Sequence, residues 1–347
     1  VTRRTPARTL TPASSRAAKI AAFDPNAPAE DASGIYGLPF DTRDAQVVVV
    51  PVPWDVTVSY SQGAARGPKA VLEASAQVDL FDPAVPDAWK IGLALDELPR
   101  EVLARSRKHR VQALKHQRAA VNKASEWLNG WVERRTGQWL DAGQMVALLG
   151  GDHSTPFGFM RALAARHDAF GILQIDAHAD LRHAYEGFTY SHASIMTNAL
   201  TLPAVSTLVQ VGIRDYCEEE AGVIALDSRV RTFFDREIKR ARFDGMTWTA
   251  QCADIVSALP EKVYLSFDID GLDPKLCPHT GTPVAGGFET EEVLFLVEAV
   301  VRSGRTIIGL DLNEVAPGPK GDEWDANVGA RMLYRLCNLM AVSQGRA

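Results

Sequence analysis

Four short apolar runs in this chain each end at a cluster of carboxylates or histidines. Residues 145–149 lead into Gly150-Gly151-Asp152-His153-Ser154, and 171–175 into Asp176-Ala177-His178-Ala179-Asp180. Residues 263–267 stop at Asp268-Ile269-Asp270-Gly271, and 306–312 at Asn313-Glu314. Runs of this length and composition read as buried strands. In an open parallel sheet such strand ends share one edge, and ligands bind in the crevice beyond it. The pattern therefore carries two histidines and many carboxylates to one place.

The wider rhythm supports that sheet. Residues 47–50 are all valine and are closed by Pro51-Val52-Pro53, and 207–212 form a further apolar run. Helical patterns separate the runs, at about 155–167, 192–201, 217–226, 248–259 and 289–303. A long helical stretch covers about 101–140, with an interruption expected near Gly130. This alternation predicts an α/β fold of three layers, α/β/α, around a mostly parallel central sheet. No shift in composition divides residues 46–347, so one catalytic domain is expected there, preceded by an N-terminal extension over 1–45.

The extension is rich in Thr, Ala, Pro and Ser, and its first acid is Asp24. Arg3-Arg4 is followed by no apolar stretch, so an export signal is not expected and a flexible arm is. The whole chain of 347 residues has 37 Lys and Arg against 43 Asp and Glu, a formal charge of -6. That balance argues against nucleic acid and anionic membrane surfaces as partners. No run approaches the roughly 18 apolar residues of a membrane-spanning helix. Cys217, Cys252, Cys277 and Cys337 form no C-x-x-C pair. They suit reduced thiols in a cytoplasmic protein rather than a zinc ribbon or a disulfide scaffold.

Spacing sharpens the chemistry. Asp176, His178 and Asp180 alternate, as do Asp268 and Asp270, so each set shares a face of an extended segment. Any one of these motifs alone reads as a turn or a helix cap. Together they gather four carboxylates, whose like charges raise one another's pKa unless cations intervene. Two divalent ions would balance them, with His153 and His178 as neutral ligands. The oxygen-rich set suits Mn²⁺ better than zinc, while imidazole also admits Ni²⁺, Co²⁺ or Fe²⁺.

The three motifs, with Ser266-Phe267 leading the last, resemble the signatures of the ureohydrolase family of arginases, agmatinases, guanidinobutyrases and guanidine hydrolases. Further blocks resemble it in the same order. They are Val52-Pro53-Trp54, Gly63-Ala64-Ala65-Arg66-Gly67-Pro68, Val211-Gly212-Ile213-Arg214, the 280–287 segment, and Gly309-Leu310-Asp311-Leu312-Asn313-Glu314-Val315. The likeness spans residue 47 to about 340 and implies an arginase-like fold. It implies one metal held by His153, Asp176, Asp180 and Asp268, and another by Asp176, His178, Asp268 and Asp270. The cofactors would then be two divalent ions per chain, Mn²⁺ or Ni²⁺. A hydroxide between them would attack the guanidinium carbon, Glu314 would pair with the guanidinium, and His192 would shuttle protons. His183, Trp54, Glu186 and Asn313 are expected on the substrate pocket, for they sit in or beside the loops after strand ends.

Arginine is a poor candidate substrate, because Cys217 stands three residues beyond Arg214 where arginases carry Asp. The extension, Gly37-Leu38-Pro39-Phe40, the 54–60 segment and Lys275-Leu276-Cys277-Pro278 resemble an agmatinase-like subgroup that includes guanidine hydrolases. An arm folded over the crevice would shorten the pocket. Free guanidine, or a short substituted guanidine or biguanide such as metformin, is therefore the expected small-molecule substrate. Agmatine or guanidinobutyrate is the alternative, and a single-zinc deacetylase of acetylated amines a more distant one. Family members are commonly trimers or hexamers, so a homo-oligomer is expected, with a mixed assembly of homologous subunits also open.

Overall fold

The strand β1 (Val47–Val52) shows why its sequence is apolar throughout. Val47 and Val49 pack into one hydrophobic cluster and Val48, Val50 and Val52 into another, all fully buried. A parallel strand covered on both faces has no solvent side on which to place polar residues. The computed structural model describes residues 15–29 and 34–347. It adds β2 (Leu93–Leu95), β3 (Met145–Gly150), β4 (Phe170–Ile175), β5 (Val205–Ile213), β6 (Val230–Phe234), β7 (Lys262–Asp268) and β8 (Thr306–Asn313).

These form one sheet in the order β2-β1-β3-β8-β7-β4-β5-β6. Every neighbouring pair is parallel. The helices Gly67–Ser75, Trp248–Ser257, Thr290–Arg302 and Trp324–Ser343 cover one face. Arg100–Leu114, Arg118–Asp141, Phe157–Ala164 and Ile195–Ala199 cover the other. The layers are those expected. Consecutive strands β3 and β4 are separated in the sheet by β8 and β7. The chain thus changes direction across the sheet there, and a crevice opens beyond the carboxyl ends of these strands.

Three features differ from expectation. The long helical stretch breaks at Lys115–Gln117, where His116 takes a left-handed φ of 53°, and Gly130 lies inside the second helix. The edge strands β2 and β6 escape a search for apolar runs, one for its shortness and the other for the exposed Arg231. The described part of the extension does not cover the crevice. Arg16 donates to the carbonyls of Asp44 and Ile91, at 2.5 and 3.0 Å. Lys19 pairs with Asp44 at 2.6 Å, and Phe23 packs on Trp89. Asp44 and Ile91 precede β1 and β2, so this part lies at the amino edge of the sheet, opposite the strand-end motifs. Residues 1–14, with Arg3 and Arg4, fall outside the described residues. Among the described residues no helix is long and apolar enough to cross a membrane.

Candidate metal centre

The end of β3 is drawn tight against its neighbours. A side chain on Gly151 would strike the Trp54 carbonyl, and one on Gly150 the Asn313 amide. That close approach lets Asp152 N–H donate to the Trp54 carbonyl at 2.7 Å. Glu314 N–H donates to the Gly151 carbonyl at 2.8 Å, and His153 N–H to Glu314 Oε1 at 3.0 Å. Both Asp180 and Glu314 hold left-handed backbones, with φ of 54° and 60°. Non-glycine residues rarely stay there unless the surroundings hold them, and such positions gather at functional sites.

The ligand atoms converge in two groups. His153, Asp176 and Asp268 bring one ligand atom each within 4.8 Å of one another, and so do Asp176, His178 and Asp270. Asp176 is common to both. Asp180 joins the first group, its Oδ2 lying 3.0 Å from His153 Nδ1. Asp268 also belongs to the first group, and its Oδ1 accepts the Asp270 N–H at 2.9 Å. Six side chains from three strand ends thus meet around one shared carboxylate.

The donors fit divalent cations. His153 Nδ1 is buried without a hydrogen bond. Around it stand Asp176 Oδ2 at 3.0 Å, Asp180 Oδ2 at 3.0 Å and Asp268 Oδ2 at 3.3 Å. Its Nε2 lies 2.9 Å from Ser266 Oγ, whose hydroxyl donates to Asp311 Oδ1 at 3.1 Å. Nε2 is therefore a donor. Burial opposes a charge on this ring, but the three carboxylates raise the His153 pKa well above its usual value, so Nδ1 must carry either a proton or a cation. A bound divalent cation would take the place of that proton, and a hydrogen bond from the far ring nitrogen is the usual way to orient a metal-binding histidine. Asp270 Oδ2 is likewise an orphan, 3.0 Å from His178 Nδ1.

The carboxyl groups respond to this crowding. Burial first, then Asp270 and Asp176, raises Asp268 well above the usual range. Burial and then Asp176 push Asp180 up to about 7. Burial opposes the charge of Asp176 too, but contacts from His153 and His178 outweigh it and hold that carboxyl low. Cations relieve each of these penalties, so metal should stabilise the fold. Adding Mn²⁺ or Ni²⁺ to chelator-treated protein is expected to raise Tm by roughly 4 °C per ion at a hundredfold excess over Kd. Calorimetry checks this, and an unchanged Tm with either metal would count against the site.

A cavity of about 130 Å³ opens onto this centre, walled in part by His178, Asp180, Tyr185, His192, Asp215 and Ser59. His192 receives support from several sides. Its N–H donates to Thr57 Oγ1 at 3.2 Å, its Nε2 lies 3.5 Å from Ser59 Oγ, and the Tyr185 ring meets it edge-on. Burial, then the nearby His178 and His153, lower its pKa, which favours the neutral imidazole. Glu314 stands behind the cavity wall, its Oε2 unpartnered and buried close to Gly281.

The four residues expected on the pocket are not on its wall. Left-handed turns at Ala184 and Glu186 present Tyr185 to the cavity and leave His183 and Glu186 exposed. Trp54 is fully buried in the core. Asn313 is buried too, its amide bridging Thr155 Oγ1 and Asp311. Cys277 is buried, its thiol donating to the Ile269 carbonyl at 3.2 Å.

The family model described as the Arginase family matches residues 45–338. This chain belongs to the arginase family. A curated relative, the N(1)-aminopropylagmatine ureohydrolase of Synechocystis, is 33% identical over 302 residues, 87% of this chain and 91% of that protein. The agmatinase of Bacillus anthracis is 28% identical over 79% of this chain and 85% of its own. Among solved structures, the agmatine ureohydrolase of Thermoplasma volcanium shares the fold, with a TM-score of 0.71 at 22% identity. That match covers 91% of this chain and 97% of the other. The arginase-family chain is thus a hydrolase acting on amidino C–N bonds.

Strand-end reading missed the polar residues within the strands. Gln174, Gln210, Ser266 and Asp311 lie inside largely apolar strands and are fully buried. A polar residue inside an apolar run, two positions before a ligand, was the available signal at Gln174 and Ser266.

Proposed function

We propose that this enzyme cleaves the guanidinium group of a small guanidino compound, releasing urea and ammonia or an amine. Free guanidine, or a short substituted guanidine or biguanide such as metformin, is the favoured substrate. The observation that carries this reading is the cavity beside the two ligand groups. At about 130 Å³ it falls below the roughly 300–1,000 Å³ of pockets that take drug-sized ligands. Tyr185 and Arg182, in the loop after β4, form part of its wall, and no described residue of the N-terminal extension does.

The guanidinium is a resonance-stabilised cation and a poor electrophile, so both nucleophile and orientation must be supplied. A pair of divalent ions, Mn²⁺ or Ni²⁺, would supply water acidified enough to attack at neutral pH. His153, Asp176, Asp180 and Asp268 would hold one ion, and Asp176, His178 and Asp270, with Asp268, the other. Glu314 would pair through its unpartnered Oε2 with the planar cation and orient the carbon for attack, as a carboxylate does in a charge-assisted hydrogen bond. Water adds to the carbon, the C–N bond breaks, and the leaving nitrogen takes a proton. His192 would move that proton through Nε2, which has Ser59 Oγ beside it. Burial keeps the resting imidazole neutral, so it would first accept a proton and then pass it to the leaving nitrogen.

A second reading is favoured by Asp215, an exposed carboxylate on the cavity wall. It is placed to meet an amine tail, as in agmatine, and the curated relatives carry the names of agmatine and its aminopropyl derivative. Urea release separates the two. Purified enzyme loaded with Mn²⁺ or Ni²⁺ is to be offered guanidine, methylguanidine, metformin, guanidinobutyrate, agmatine and arginine. Turnover of guanidine or its small derivatives alone is the expected result. A preference for agmatine moves the assignment to the second reading, and urea from none of them overturns both.

A further inference from the structure

We propose that a buried chain of glutamines, Gln210 to Gln174, positions Asp176 so that its two carboxylate oxygens face different ligand groups. This inference rests on the two-ion reading given above. Gln174, Gln210 and Thr232 lie side by side on β4, β5 and β6, paired in register. Both glutamines are fully buried in the sheet. Gln174 Nε2 donates to Asp176 Oδ2 at 2.8 Å and to the His178 carbonyl at 3.2 Å. Gln210 Nε2 donates to Gln174 Oε1 at 2.7 Å and to the Ala179 carbonyl at 2.7 Å. Gln210 Oε1 accepts from Thr232 Oγ1 at 2.8 Å.

The chemistry leaves one orientation for each amide. Carboxylates and carbonyls only accept, so both NH₂ groups must face the loop that follows β4. Each amide then uses both of its N–H groups. The glutamines form a floor under Asp176-Ala177-His178-Ala179-Asp180, the loop that carries three of the six ligand side chains. Asp176 shows the effect. Its Oδ2 receives Gln174 and faces His153, whereas its Oδ1 receives the His178 N–H and faces the second group. A carboxylate fixed in this way cannot rotate to give both oxygens to one ion. A pair of methionines at these positions would fill a similar volume but would leave the loop carbonyls unpaired. Buried amides therefore serve the loop and not the packing of the sheet.

The test is Mn²⁺ binding followed by electron paramagnetic resonance on full-length protein. Wild type is expected to take up two ions whose spectrum shows exchange coupling through a shared carboxylate. Gln174→Met keeps length and apolar packing but removes the donor to Asp176. It is expected to lose about tenfold to a hundredfold in Mn²⁺ affinity, the usual range for removing such support. Its bound Mn²⁺ should give the spectrum of isolated ions. Gln210→Met, which leaves Gln174 intact but unbraced, should show the same change to a smaller degree and serves if the first variant does not fold. Thr232→Val, at the far end of the chain, should retain wild-type affinity and coupling. Wild-type affinity and coupling in a folded Gln174→Met or Gln210→Met protein would overturn this inference alone. A wild-type protein that takes up no coupled pair would overturn the two-ion reading beneath it.

Discussion

Replacing Asp176 with alanine is expected to lower kcat/KM by about three orders of magnitude or more, because both ion sites lose their shared ligand. Asp176 is common to both ligand groups, and the proposed ligand sets share Asp268 as well. The substitution also leaves His153 Nδ1 and His178 Nδ1 with one carboxylate fewer each. The bound-metal count should fall from two per chain to one or none. Asp176→Asn is the sharper variant, since it keeps the shape and the two hydrogen-bonding positions but removes the charge. Elemental analysis and urea release on both variants check the prediction. Two ions retained with near-normal turnover would mean that Asp176 is not the shared ligand.

The second large effect is expected at Glu314, and it has opposite signs in activity and stability. Glu314→Gln preserves the bond from the His153 N–H to Oε1 and the left-handed backbone that glutamate tolerates there. It removes the charge that would orient a guanidinium. Loss of a charge-assisted contact made in the transition state costs roughly 3–4 kcal/mol, or about a hundredfold to a thousandfold in kcat/KM. Stability should move the other way. Burial, then Asp152, pushes the Glu314 carboxyl above its usual range, so the folded protein gains when the carboxylate is replaced by a neutral amide. A raised Tm with collapsed activity is the expected pair of results. A lowered Tm would place Glu314 among the structural residues instead.

The centre was the most legible part of this chain, because strand ends in a parallel sheet bring short motifs together whatever the distance between them in sequence. His153, Asp176, His178, Asp180, Asp268 and Asp270 follow from that rule and from alternation. The pocket was harder to read. His183 and Glu186 lie in the right loop, but left-handed residues at Ala184 and Glu186 decide which side chain faces inward. Nothing in the local sequence announces those turns, since neither residue is glycine. The edge strands were lost for a related reason. β6 carries Arg231 and Thr232 at the sheet's border, where one side of the ladder has no neighbour and the apolar run breaks up. The placement of residues 16–23 was also not legible, for it depends on backbone carbonyls at Asp44 and Ile91 that any sequence would offer.

β8 is the strand that joins the two halves of the sheet, yet it is the last of the eight to be synthesised. Until it emerges, β2-β1-β3 carries His153 while β7-β4-β5-β6 carries the aspartates and His178. The group of Asp176, His178 and Asp270 lies wholly within the second half. The group around His153 draws on both. By strand order alone, the group of Asp176, His178 and Asp270 can come together before β8 is made, whereas the group around His153 needs the completed sheet.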